Sequence, residues 1–161
     1  MAVALFSGCA SSEPRLVLDQ VGPPSLQPDS AGSKGSLLVF SEISIDMPSS
    51  IRPDHTRYTD YKILSEQGEL LQTVHNEYDV LWEGPKEVKL PPGTYRVLAS
   101  AYRYGLVTVP VVIVARQTTV VHLDGGDLGP ERAALIHSNP VRLPNGQIVG
   151  WRSTRDQMAK P

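Results

Sequence analysis

Histidine serves in both metal binding and acid–base catalysis, so the spacing of histidines along a chain is informative. The 161 residues of this chain include four histidines, and none of them is spaced as a metal ligand of another: His55, His75, His122 and His137. His122 lies in a β-rich run, which favours a hydrogen-bonded sheet residue over a ligand or a general base. No Ser-His-Asp or Cys-His set can be assigned. We therefore expect no enzymatic activity, no cofactor and no metal site.

The single cysteine, Cys9, lies in a context that suggests lipidation. It ends the segment Phe6-Ser7-Gly8-Cys9, which resembles the lipobox of a bacterial lipoprotein signal. The resemblance implies cleavage before Cys9, diacylglycerol on its sulfur, and anchoring by acyl chains. A start codon upstream of Met1 would supply the basic segment that such signals carry. We expect residues 1–9 to be the signal remnant of an exported protein, lipid-anchored in the bacterial outer membrane or cell envelope.

The composition excludes several classes of protein. Hydrophobic residues make up 40% of the chain and charged residues 20%, as in folded globular domains. The formal net charge of -2 predicts no nucleic-acid partner. One cysteine provides neither a disulfide framework nor a thiolate metal cage. The 14 prolines and 13 glycines favour short strands joined by turns.

Residues 10–35 are rich in Ser, Pro and Gly and are interpreted as a flexible tether. Its apolar patch at 16–18 could add a short edge strand. A coil from Cys9 to Ser36 would typically span about 30 Å, enough to hold a domain clear of lipid headgroups.

Residues 36–124 contain seven strand-like segments and no convincing helix. The segments are 36–45, 61–64, 69–74, 87–90, 95–102, 107–115 and 118–123. Pro110 cannot donate to a strand ladder, so it predicts an edge position or a bulge for its strand. The spacing of the segments predicts two packed antiparallel sheets in an all-β sandwich.

The turn at Pro91, Pro92 and Gly93 organises this domain. Proline presets φ and glycine tolerates a positive φ, so the triplet predicts a tight turn in which Gly93 has φ > 0. Tyr95 is expected to face the core and anchor the turn, as corner tyrosines do in other sandwiches.

The order of a hairpin, a loop, "EVKLPPGTYRVLA" and "VPVVIVARQTTVVHL" resembles the prealbumin-like sandwich family over residues 36–123. That family includes carboxypeptidase regulatory-like domains, adhesin B-repeats and transthyretin. The resemblance implies a seven-stranded antiparallel Greek-key sandwich.

Two kinds of chemistry known on this fold are not expected here. An internal isopeptide bond would use Lys34 or Lys62 with Asp124 and Glu87, but the segment after the turn lacks the acid of the family motif. Transthyretin-like hydrolases use a C-terminal Tyr-Arg-Gly-Ser, whereas the similar tetrapeptide at 102–105 is internal.

Aromatic residues near the predicted loops are the candidate binding residues. They are Tyr58, Tyr78, Trp82, Tyr102 and Tyr104. Such rings can stack on sugars or bury a partner's side chain, and the alternative is that they cap the ends of the core.

Residues 125–161 are expected to form a C-terminal extension with a frayed end. Its hairpin is predicted by Asn145-Gly146, a two-residue turn signal between apolar segments. This hairpin could extend the sandwich or project from it.

The sequence thus favours a non-catalytic cell-envelope lipoprotein with a structural or adhesion role. It would bind an envelope protein or a glycan through its end loops. The alternative is a carbohydrate- or small-ligand-binding accessory domain.

Overall fold

The computed structural model describes residues 16–22, 32–44, 58–76, 84–126 and 140–152. Within these ranges the chain is all-β, and no helix there could cross a membrane. The strands are β1 (Leu16–Val17), β2 (Gly35–Phe40), β3 (Tyr61–Ser65), β4 (Leu70–Val74), β5 (Val88–Leu90), β6 (Gly93–Ala101), β7 (Gly105–Ile113), β8 (Thr118–His122), β9 (Pro140–Arg142) and β10 (Ile148–Trp151).

The strands form a five-stranded sheet, a three-stranded sheet and a hairpin. The larger sheet has the order β1-β7-β6-β3-β4, the smaller has the order β5-β2-β8, and β9 pairs with β10. The seven segments predicted between residues 36 and 124 correspond to β2 through β8.

Two strand pairs are parallel, so the prediction of purely antiparallel sheets is wrong for them. β2 pairs in parallel with β8 from Ser36↔Thr118 to Phe40↔His122, and β1 pairs in parallel with β7. Tight hairpins force an antiparallel pairing only between consecutive strands. β2 and β8 are far apart in the chain, so their relative direction depends on how the intervening strands fold.

The longest pairing joins β6 to β7 over nine residue pairs, from Gly93↔Ile113 to Ala101↔Gly105. Alternation of aliphatic residues along both strands places most of one face of this pair in the core. The fully buried side chains are Val97, Ala99, Ala101, Val107, Val109, Val111 and Ile113.

The core also includes residues beyond the predicted domain boundaries. The smaller sheet contributes Leu37, Val39 and Val121, all fully buried. Segments outside 36–124 contribute Leu18, Val21, Val141, Leu143 and Val149. The C-terminal hairpin therefore extends the sandwich, and residues 16–22 belong to the folded body, where the edge strand expected from the apolar patch at 16–18 is present as β1.

Residues 16–22 lie along the outer edge of β7. Leu18 N donates to Thr108 O (2.9 Å), Val21 N donates to Pro110 O (2.8 Å), and Val112 N donates to Val21 O (2.9 Å). The prediction that Pro110 marks an edge or bulged strand is corrected by this arrangement, because β7 lies between β1 and β6. The side of Pro110 that lacks an N–H faces this segment where it leaves the ladder, between β1 and Val21.

Pro91 and Pro92 connect the two sheets, since β5 belongs to one sheet and β6 to the other. The Tyr95 hydroxyl donates to Pro91 O at 2.9 Å, and its ring packs against the core. Gly93 does not have a positive φ, contrary to the prediction, because it already belongs to β6 as extended chain. A Cβ at Gly93 would meet the Tyr95 ring at 3.4 Å, an ordinary contact.

The turn of the C-terminal hairpin is shifted by one residue from the predicted Asn145-Gly146 position. Gly146 N donates to Leu143 O at 2.9 Å, so Pro144 and Asn145 are the central residues and Gly146 follows with φ 91°. Proline fits the first central position of a type I turn, which accounts for the shift.

Two buried or half-buried tyrosines give a matched test of this packing. Tyr95→Phe should lower the free energy of unfolding by about 1 kcal/mol, because it removes the hydroxyl that holds Pro91. Tyr61 is buried, its hydroxyl has no hydrogen-bond partner among the described residues, and burial raises its pKa. Tyr61→Phe should therefore leave stability unchanged or raise it. Urea denaturation measures both, and an equal loss in the two variants would contradict the assignment.

Candidate functional site

Four segments meet at one end of the sandwich, which we call the Tyr102 end and define as residues 40–43, 58–60, 101–105 and 122–125. Main-chain hydrogen bonds join them: Glu42 N to Ser100 O (2.9 Å), Thr59 N to Glu42 O (2.9 Å), Leu123 N to Phe40 O (2.6 Å) and Tyr102 N to Leu123 O (2.8 Å). The predicted extension of the first strand to residue 45 is interrupted here. After Phe40 the chain leaves the smaller sheet and bonds to the end of β6.

The β6–β7 turn carries an exposed tyrosine and arginine. Tyr104 N donates to Ala101 O at 2.9 Å, and Arg103 has φ 67° in the left-handed region, which non-glycine residues seldom occupy. The Arg103 guanidinium carbon lies 5.1 Å from the centre of the Tyr102 ring, within the range of a cation–π contact. Tyr102 is 41% exposed.

Gly125 fixes where the Tyr102 ring can lie. A Cβ at Gly125 would be 2.5 Å from the ring carbon Cδ1, and Gly125 has φ 78°. Only glycine meets both conditions without a shift of the ring. The segment that follows β8 therefore packs against the Tyr102 ring.

A stack of rings lies on the smaller sheet at the same end. Phe40 and His122 are stacked at 4.5 Å between centroids, and Phe40 meets Tyr58 edge-on at 5.6 Å. His122 is buried in this stack. Burial raises the pKa of the half-buried Tyr58 hydroxyl, and the nearby Asp124 carboxylate raises it further. These contacts join the end of the smaller sheet to the chain before β3.

The structure brings three of the five candidate aromatics to this end. Tyr102 is exposed, Tyr58 is half-buried, and Tyr104 is half-buried against the core. Tyr78 and Trp82 lie outside the described residues, as does Cys9.

Sequence reasoning missed a polar network beside the same end. Asn76 is buried: its Nδ2 donates to Thr59 O at 2.9 Å, and its Oδ1 accepts from Lys86 N at 3.1 Å. Its N–H donates to Asp60 Oδ1 at 3.1 Å, while Asp60 Oδ2 lies 2.6 Å from His75 Nδ1. The network fixes the chain after β4 to the chain before β3. Isolated polar residues after a strand have no periodic signal that would reveal it.

Ser41 is next to this network and is fully buried. Its hydroxyl donates to Thr59 O at 2.6 Å. The hydrogen bond and the burial assign Ser41 a structural role rather than that of a nucleophile.

A serine–lysine contact on the smaller sheet has the residue types of a catalytic dyad. Lys89 Nζ donates to Ser36 Oγ at 2.7 Å, but it also donates to Glu87 Oε1 at 2.6 Å. A lysine acts as a general base only when deprotonated, and the Glu87 carboxylate stabilises the charged ammonium. This geometry opposes base catalysis.

The residues weighed for an isopeptide bond are placed in other environments. Lys34 and Lys62 are exposed, and Glu87 is paired with Lys89. No group of three or more His, Cys, Asp or Glu that could hold a metal ion occurs in the part of the chain that the structure describes.

Comparisons with protein-family models, with curated proteins and with solved structures give no match for this chain. The account of the site therefore depends on its own geometry.

The Glu87–Lys89 contact predicts a measurable titration. Hydrogen bonds from Lys89 and Ser36 hold the pKa of the Glu87 carboxyl below its ordinary value of 4.5. The stabilisation is therefore present above the unfolded-state pKa and is lost as the pH falls through the lower folded-state pKa. An NMR titration should place the midpoint below 4.5. Lys89→Met should raise that midpoint and the control Lys86→Met should not, whereas equal midpoints in all three proteins would contradict the pairing.

Proposed function

We propose that this protein is a non-catalytic, lipid-anchored module of the bacterial cell envelope that binds an envelope protein through the Tyr102 end. The observation that carries the proposal is the exposed Tyr102–Arg103 pair, which is held in place by the left-handed backbone at Arg103 and by the close approach of Gly125 to the Tyr102 ring. Tyrosine and arginine are enriched among residues that dominate binding energy in protein interfaces. Strained backbone that is retained at an exposed turn is consistent with such a role.

The roles of the polar side chains support the non-catalytic part of the proposal. Ser41 is bonded to Thr59, Lys89 to Glu87, and His122 is stacked on Phe40. Each of these groups therefore has a structural contact that competes with a role in acid–base or nucleophilic chemistry.

The finer fold assignment is also a proposal: a seven-stranded Greek-key sandwich of the prealbumin-like type. It is supported by the pairing of β3 with β6, which are not consecutive in the chain, and by the two sheets that share one core. Lipidation at Cys9 and export follow from the lipobox-like segment alone.

A glycan or small-ligand partner is the second candidate, and the exposed Tyr102 ring is the observation that favours it. Sugar stacking uses an open ring face, however, and the Arg103 guanidinium lies over the Tyr102 ring. The pair offers a cation and a hydroxyl group rather than a bare ring. This arrangement favours a protein partner.

Photo-crosslinking distinguishes the two candidates. The chain with a photoreactive residue in place of Tyr102 should crosslink one defined protein in a detergent-solubilised envelope fraction. The matched control places the same residue at Leu71, which is also exposed but lies on β4. Arg103→Ala should weaken the crosslink about tenfold or more, because it removes a group typical of interface hot spots. Equal crosslinking from both positions, or specific signal on a glycan array without a protein crosslink, would contradict a protein partner.

A further inference from the structure

The chain enters the folded body at the Tyr102 end. β1 begins at Leu16, which is in register with Val107, and Gly105 closes the β6–β7 turn only two residues earlier. From there residues 16–22 run parallel to β7 and away from the turn. The polypeptide between Cys9 and Leu16 therefore reaches the body beside Tyr102 and Arg103.

The link from Cys9 to the body is short. Seven residue steps separate Cys9 from Leu16, so they reach at most about 25 Å when fully extended. A flexible chain of that length typically spans only about 15 Å. This is half the separation that a tether extending to Ser36 would give. A lipid anchor at Cys9 would hold the Tyr102 end close to the headgroups.

The exposed apolar side chains concentrate at this end. Six large hydrophobic residues are exposed among those the structure describes: Val17, Ile43, Leu70, Leu71, Tyr102 and Leu106. Ile43 and Tyr102 belong to the Tyr102 end, Val17 and Leu106 lie on the strands that begin beside it, and Leu70 and Leu71 lie on β4. Val17 pairs with Thr108, two residues from Leu106, so Val17 and Leu106 share one face of the sheet.

The chemistry of this surface suits a lipid headgroup layer. Aliphatic and tyrosine side chains enter the boundary between headgroups and acyl chains, and an arginine on an apolar surface reaches phosphate. Val17 is 64% exposed and Leu106 is 43% exposed. Among the carboxylates at this end, the exposed Asp60 is paired with His75, and Glu42 and Asp124 are half-buried.

We propose that the Tyr102 end rests on the surface of the membrane that holds the anchor, with Val17, Tyr102 and Leu106 in the headgroup layer and Arg103 at the phosphates. The inference rests on the lipid anchoring in the proposed function and deepens it. The same side chains cannot contact lipid and a protein at once, so a protein partner of this end would replace the headgroup contact.

Site-directed spin labelling tests the orientation on the full lipidated chain. Acylation occupies the native cysteine, so Leu106→Cys or Leu70→Cys provides one free thiol for a nitroxide. Both positions are exposed leucines, but Leu70 lies on β4, away from the β6–β7 turn. On vesicles of phosphatidylethanolamine and phosphatidylglycerol, collisions with a water-soluble nickel chelate should fall several-fold at residue 106 and stay unchanged at residue 70. Tyr102→Cys should behave like Leu106→Cys.

The outcomes separate the orientation from the anchoring. Vesicle flotation, with Cys9→Ser as the control, shows whether the chain is anchored at all, and failure to float overturns both proposals. A chain that floats but has equal nickel access at residues 106 and 70 overturns the orientation alone. Protection at residue 106 that appears only after an envelope extract is added identifies a protein in place of lipid, and it overturns the lipid contact.

Discussion

The pairing of β6 with β7 is the constraint on which the rest of the structure depends. Nine consecutive residue pairs hold the two strands in a single register. One face of the pair carries seven fully buried aliphatic residues, so a slip by one residue would turn all of them to the other face. Every other strand of the larger sheet attaches to this pair, directly or through β3: β3 bonds to β6, and residues 16–22 bond to β7.

The same register determines where the functional end lies. The pairing closes at Ala101↔Gly105, and the remaining residues form the turn that exposes Tyr102 and Arg103. β1 is aligned with the beginning of β7, so the incoming chain arrives at this turn. The proposed binding surface and the proposed lipid anchor are thus at one end of the sandwich, and the Pro91–Pro92 connection between the sheets lies at the other end of β6.

Local patterns in the sequence were sufficient to predict the seven central strands. Alternation in β6 and continuous aliphatic content in β7 are properties of the segments themselves. The parallel partner of β2 could not be predicted in the same way, because the pairing joins Ser36 to Thr118 across the whole domain. The pairing of Val21 with β7 could not be predicted for a related reason. The sequence around Val21 is rich in Ser and Pro, and its partner, Val111, is distant in the chain.

The candidate site also combines features that the local sequence predicts with features that depend on distant contacts. Exposed aromatics near turns were predictable, whereas the role of Gly125 depends on a contact with Tyr102 from a distant segment. The prolines predict a positive φ at Gly93, but at the Tyr102 end it is Arg103, Gly105 and Gly125 that have one. Which residues form a turn depends on the local sequence, but which turn supports the candidate site depends on tertiary packing.

Native-state hydrogen exchange tests the central claim most directly. Odd-numbered residues of β7 direct their amides to β6, because even-numbered ones bond to residues 18–21. The amides of Val107, Val109 and Val111 should therefore exchange only by global unfolding and be among the slowest in the protein. Exchange of these three amides through local opening, with slower exchange in the β3–β4 or β9–β10 hairpins, would contradict the account.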